Sequence, residues 1–211
     1  MPTASDLAKR ADASRRAILE TLLGDPAGIA FLHELPDVLE DHVPADPKLA
    51  LAWPRQIESL HEACAQIPGA TLEESIDVLW DHVRQHEEIV HASLPMVALG
   101  PLSRRRIEVA LAVLVTCRAE LARAARPIVE TLAQHYAEIN LSREELVAAG
   151  ERGTALAADR YRPAYAFSTY ARWWVSQSMV AAIAQRASRD SDTHAERALT
   201  QRIHNEQSAR S

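Results

Sequence analysis

The chain has 211 residues, 47% hydrophobic and 25% charged, with a formal net charge of −6; these values are ordinary for a globular protein with one sizeable core or two small ones, and they argue against nonspecific nucleic-acid binding over the whole surface. Cys64 and Cys117 are far apart and lack a C-x-x-C partner, so they read as buried thiols in a reducing cytosol rather than a disulfide or a zinc site. The start, MPTASDLAKR, carries no apolar signal core, and the most apolar run, Val109 to Val115, is too short to cross a bilayer, so a cytoplasmic protein with no membrane partner is expected.

Ala, Leu, Glu and Arg dominate, apolar residues recur at three- and four-residue spacing, and no alternating strand pattern emerges; the expected fold is all-α, a multi-helix bundle. A first helix is expected from about Ser5 to Leu23, stopped by Gly24. Pro26, Pro36, Pro44, Pro47 and Pro54 should cut the next stretch into short helices and turns. Thr71 and Glu74 form a capping box ahead of Ile76, Leu79, Trp80 and Val83, which share one helical face. Pro95, Gly100 and Pro101 mark a break. A long helix follows from near Ser103, carrying Ile107, Leu111, Leu114, Val115 and Leu121, and Pro127 should kink or restart it. Ser142 and Glu145 form a second capping box, opening a helix to about Arg160. Pro163 ends that segment, and a ring-rich helix is expected from near Ser168 to about Arg186. The tail is polar without an apolar stripe and reads as frayed helix or disorder. Residues 1–100 hold eight of the eleven prolines and six of the nine histidines. That shift in composition divides the chain into a helical N-terminal region of unknown role (1–100), a helical domain (101–187) and a flexible tail (188–211).

The ring-rich helix is the chemically informative stretch. Six of the ten Phe, Trp and Tyr residues (Tyr161, Tyr165, Phe167, Tyr170, Trp173 and Trp174) lie within fourteen positions. From Arg160 to Arg189 there is no Asp or Glu, while Arg160, Arg162, Arg172, Arg186 and Arg189 are present. On a helix from Ser168, Tyr170, Trp173, Trp174 and Gln177 occupy neighbouring positions of one face. Such rings either fill a core or present π-faces to unpaired bases. A core stripe has no need of acid-free flanks, whereas a groove that follows phosphates does. Both readings stand on residue chemistry alone.

The string FSTYARWWVSQSMVAAIA, Phe167 to Ala184, resembles the promoter-melting helix of bacterial RNA polymerase sigma factors of the sigma-70 family, whose pattern is close to F-S-T-Y-A-x-W-W-I-R-Q-A-I-x-R-A-I-A. Upstream, LVAAGERGTALAADRY, Leu146 to Tyr161, is similar without a gap to L-I-Q-E-G-N-I-G-L-M-x-A-V-x-x-F, and ELARAARPIVETLAQHY, Glu120 to Tyr136, resembles the family helix ending V-V-x-I-A-x-x-Y. The resemblance covers residues 120–187, sigma region 2. It implies a sigma region 2-like helical core and a transcription initiation factor that binds the polymerase core and recognises and melts minus-ten-like promoter DNA. By position, Tyr170 and Trp173 match rings that act at the upstream edge of the melted element, a flat ring replacing the stacking partner of an exposed base, and Trp174 matches the second of the paired tryptophans. Gln177 matches a position that reads base edges just upstream, where an amide can pair with adenine. Arg160, Arg162 and Arg172 would hold phosphates. The helix with Glu145, Leu146, Ala148, Ala149 and Gly150 matches the surface that docks on the clamp helices of the polymerase largest subunit. An anti-sigma or other regulatory protein is a further implied partner.

Departures from the family pattern define an alternative. Ala148 and Ala149 stand where the family has Gln and Glu, Ser176 and Ala181 replace arginines, and Val180 replaces a common threonine. Between Tyr161 and Phe167 the chain is two residues shorter than the pattern, and the 24 residues after the match leave no room for the helix-turn-helix domain that reads the minus-35 element. Residues 1–100 match no part of the pattern. The alternative is a degenerate sigma-derived regulatory interaction protein without promoter-opening activity. Elsewhere, His82 and His86 are four apart with Glu87, Glu88 and His91 following, a spacing that can make two metal ligands but more simply forms an exposed helix face. No nucleophile elbow or phosphate loop occurs, so no enzyme, cofactor or metal is expected. Arg104 to Arg106 read as the solvated start of a helix.

Overall fold

The computed structural model describes residues 2–44, 47–136, 141–162 and 165–208, leaving aside the side chains of 47–49 and 190–208. Eight α-helices are present among them, with no strand: α1 (Ala4–Leu23), α2 (Pro26–Glu40), α3 (Pro47–Gln66), α4 (Leu72–Gln85), α5 (Glu87–Ser93), α6 (Pro101–His135), α7 (Arg143–Arg160) and α8 (Phe167–Ser208). Short 3-10 turns occupy Ile67–Gly69 and Leu94–Met96. The all-α expectation therefore holds.

Local chemistry accounts for three of the helix starts. Asp25 accepts from the Ala27 amide (3.0 Å) with Pro26 as the first helical residue, which opens α2. Both capping boxes form, Thr71 with Glu74 at α4 and Ser142 with Glu145 at α7. Pro36 and Pro54 act differently from expectation, since neither cuts the chain into shorter helices. Pro36 lies inside α2, Pro54 inside α3 and Pro127 inside α6, and none of the three ends its helix. Pro36 is itself buried among Leu32, Leu35 and Leu39, so packing outweighs the hydrogen bond its missing N–H forfeits. At the other end, α8 continues to Ser208, past the Arg186 stop that the apolar pattern suggested; Pro163 lies outside the described residues.

The chain divides into two compact units, Lys9–Thr116 and Met1–Ala8 with Cys117–Ser211, so this division falls inside α6. In the Lys9–Thr116 unit, Ile18, Leu19 and Leu22 of α1 meet Leu32, Leu35 and Leu39 of α2, Leu60 of α3 and Ile76 and Leu79 of α4 in one core. Cys64 is buried, donates its thiol to the Leu32 carbonyl (3.1 Å), and burial pushes its pKa up to about 11. Trp53 donates its indole N–H to the Leu39 carbonyl (3.1 Å) near the end of α2, and His86 packs edge-on to Trp53 at 5.0 Å.

One ion pair sits inside this unit. Arg15 of α1 and Glu87 of α5 are 6% and 7% exposed, and the guanidinium forks onto the carboxylate at 3.1 and 3.3 Å. Asp12 takes a third guanidinium contact at 2.9 Å. The geometry is the bidentate one that offsets desolvation best.

In the other unit, Val129, Leu132 and Ala133 of α6, Leu146 and Ala149 of α7, and Val175 and Met179 of α8 form the core. Cys117 is also free and buried. Glycine sets the separation of α7 and α8. A Cβ on Gly153 would lie 2.6 Å from the Trp174 carbonyl oxygen and 2.8 Å from Val175 Cα, and a Cβ on Gly150 would lie 2.5 Å from Met179 Cε. At Gly153, whose neighbours include backbone, only hydrogen fits without moving a helix, and this close approach holds the ring-rich turn of α8 on α7.

Candidate nucleic-acid interface

Rings and cations gather where the end of α7 meets the start of α8. Tyr161 caps α7 and is buried; its hydroxyl donates to the Tyr165 carbonyl at 2.7 Å, and Phe167 packs edge-on to it at 5.0 Å. Tyr161 and Phe167 are 5% and 6% exposed, so these two rings are core. Tyr170 is half-buried and donates its hydroxyl to the carbonyl of Arg160 (3.2 Å), one of the last carbonyls of α7, which has no partner within the helix.

The two tryptophans have different environments. Trp174 is half-buried, with its indole N–H sealed from water and lacking an acceptor. The Arg160 guanidinium lies over its ring, 4.9 Å from the centroid, a cation–π contact. Trp173 is 56% exposed. It meets Trp174 edge-on at 4.8 Å, and Tyr170 meets Trp174 at 6.3 Å, so Tyr170, Trp174 and Trp173 form a continuous ring contact. The buried positions Ala171, Val175 and Met179 face the interior, which leaves Trp173, Gln177 and Val180 on the outward side of α8. Tyr165 is also open, at 75% exposure.

The cations divide. Arg160 joins the tryptophans. Arg172 is exposed and lines a groove with Thr131, Leu132, His135, Tyr136 and Ser176, where the Tyr136 and Ser176 hydroxyls are 3.1 Å apart. Arg162 is exposed beside Tyr161 in the chain. Of the residues singled out from the sequence, Arg160, Tyr170, Trp173 and Trp174 are brought into one cluster, Gln177 lies one turn on, and Arg172 faces the separate groove. His135 and Thr131 were not singled out. Their approach to α8 joins residues about forty positions apart, which no local pattern reports.

The positions matched to polymerase docking fare unevenly. Leu146, Ala149 and Gly150 are buried under α8 and α6, so they offer no surface. Ala148 is exposed. Glu145 is exposed but engaged: it accepts from the Ser142 amide (2.9 Å) and lies 3.6 Å from Arg186. The Ser142 amide first, and Arg186 in addition, hold its carboxyl below the usual range.

The histidine run on α4 and α5 is not an exposed face. His86 and Glu87 are buried, Glu87 is committed to Arg15, and His86 Nε2 has no hydrogen-bond partner among the described residues. Burial, then the neighbouring His82, lowers the pKa of His86. Among the described residues no group of three or more His, Cys, Asp or Glu side chains converges as a metal site would require. No helix among them is long and apolar enough to cross a membrane. Arg104 donates to the Val97 carbonyl (3.1 Å) and Arg105 pairs with Glu108 (3.4 Å), which accounts for two residues of that basic run locally. No family model matches the chain.

Proposed function

We propose that this chain is a sigma-like transcription initiation factor, which binds the bacterial RNA polymerase core and holds melted minus-ten-like promoter DNA on α8. The observation that carries this reading is the state of Trp173: a large flat ring, more than half exposed, braced edge-on by Trp174 in an acid-free, arginine-bearing stretch. An open indole is costly to leave in water and offers a sequence-tolerant stacking surface worth roughly 1–3 kcal/mol per base. Tyr170 and Trp174 shape the platform, Arg160 stiffens it through Trp174, and Gln177 lies next along the same outward face. The charge distribution agrees. Residues 9–116 carry ten Lys and Arg against seventeen Asp and Glu, whereas residues 1–8 and 117–211 together carry thirteen against twelve. An anionic strand is therefore favoured at the second unit and repelled by the first.

The test is reconstitution at low salt with core polymerase and with a premelted promoter fragment. Binding to both that weakens with Trp173→Ala supports the proposal, and binding to neither sinks it. A second reading, a sigma-derived interaction protein without promoter-opening activity, is favoured by one observation: of the docking positions only Glu145 and Ala148 reach the surface, and Glu145 is already occupied by Ser142 and Arg186. Strand binding without polymerase binding would select that reading.

A further inference from the structure

The groove beside the ring cluster has its own chemistry. It measures about 380 Å³ and is bounded by the last turns of α6 and by α8. The Tyr136 and Ser176 hydroxyls pair at 3.1 Å, and since only one proton is used in that bond, the other remains to be donated. His135 stands edge-on to Tyr136 at 5.3 Å. Arg172 adds a guanidinium that makes no ion pair among the described residues. Thr131 donates its hydroxyl to the Pro127 carbonyl (2.8 Å). No Asp or Glu is among its described lining residues. The larger groove of the Lys9–Thr116 unit, about 740 Å³, contrasts with it, being lined by Glu34 and Glu88 along with apolar side chains. A concavity whose described lining is rich in donors and holds no carboxylate suits an anion, and a planar guanidinium suits phosphate oxygens in particular.

Position decides which anion. Arg172 and Trp173 are consecutive on α8, about 100° apart around its axis. A strand with a base on Trp173 would carry its backbone past Arg172. We infer that this groove seats one backbone phosphodiester of a single strand, the linkage next to the base resting on Trp173, with Arg172 as the charge and Tyr136, Ser176 and His135 as hydrogen-bonding partners. The inference rests on the proposed strand-binding reading.

The experiment uses the full chain and labelled single-stranded DNA of minus-ten-like sequence at low salt, with a neutral methylphosphonate placed at one linkage at a time. Neutralising one linkage should weaken binding about tenfold, the value of one charge-assisted contact. Arg172→Ala should weaken the unmodified strand to a similar extent and abolish sensitivity at that linkage, while Arg172→Lys keeps part of it. Arg172 is exposed, so the variant should fold, which circular dichroism checks. Unchanged linkage sensitivity in Arg172→Ala, with binding still lost in Trp173→Ala, overturns the groove assignment and leaves the stacking reading intact. No strand binding by the wild-type chain overturns both. Inorganic phosphate titrated into the chain with the labelled strand bound, followed through the His135 imidazole NMR signals, is the final arm. Saturation without displacement of the strand assigns the groove to a free anion and overturns the inference.

Discussion

Replacing Gly153 with alanine probes the contact that positions the ring cluster. The added methyl would lie 2.6 Å from the Trp174 carbonyl oxygen and 2.8 Å from both Val175 Cα and Ser178 Oγ, where ordinary contact begins at 3.4 Å. Two of these neighbours are backbone, so no rotamer change relieves the overlap and α7 must draw back from α8. Overpacking of this kind costs about 1–3 kcal/mol, and rigid neighbours place it at the upper end. Alanine returns about 1 kcal/mol through helix propensity, leaving a net loss of about 2 kcal/mol. Urea titration followed by circular dichroism measures it. Gly150→Ala should lose less, because its closest contacts, Met179 Cε at 2.5 Å and Val129 Cγ1 at 2.8 Å, are side-chain ends. Gly69→Ala, with nothing within 4 Å of the new methyl, should be neutral or slightly stabilising. If Gly153→Ala proves as stable as Gly69→Ala, the close-approach reasoning is wrong.

Four other outcomes are expected. Ala149→Glu puts a carboxylate at a fully buried position and should cost several kcal/mol or unfold the second unit, whereas exposed Ala148→Gln should stay within about 0.5 kcal/mol of wild type in the same titration. Trp173→Ala should lower single-strand affinity by roughly 1–3 kcal/mol, read by fluorescence anisotropy, with a far smaller change in unfolding free energy than Trp174→Ala causes. His86, whose pKa is depressed by burial, resists the proton that the unfolded chain accepts; stability should therefore be complete above the ordinary imidazole value of 6.5 and fall as pH drops below it, and His86→Gln should flatten that slope. The capping glutamates Glu74 and Glu145 have carboxyl pKa values held down chiefly by the Thr71 and Ser142 amides, so their contribution should persist above the ordinary value of 4.5 and vanish as pH falls through the depressed one; Glu→Gln at either site should remove that part of the acid sensitivity.

What could be read from the sequence was local. Thr71 with Glu74 and Ser142 with Glu145 announce helix starts because each box closes within three residues, and both form. Pro36 and Pro54 misled for the opposite reason: a proline's local penalty is visible in sequence, whereas the packing that outweighs it is not. The ring-rich segment was visible as composition, yet its division into buried Tyr161 and Phe167, half-buried Tyr170 and Trp174 and open Trp173 follows from the approach of α7 to α8. That approach depends on Gly150 and Gly153, whose spacing says nothing about which helix will press against them. The same contacts bury Leu146 and Ala149, which the resemblance had placed at an outer surface. His135 escaped notice because its groove partners on α8 are remote in the chain.

The enclosed Arg15 and Glu87 side chains constrain how this sequence can drift. Losing Arg15 alone leaves the buried Glu87 without its bidentate partner, and losing Glu87 alone leaves Arg15 with only its contact to Asp12; breaking a buried pair in this way costs up to about 3–5 kcal/mol, comparable with the whole stability of a small domain. Exchanging both for oily residues of matching size carries little penalty, or even a gain. Two tolerable endpoints are thus separated by intolerable intermediates, so descendants of this chain should keep both residues or neither, and positions 15 and 87 should be inherited as a single character.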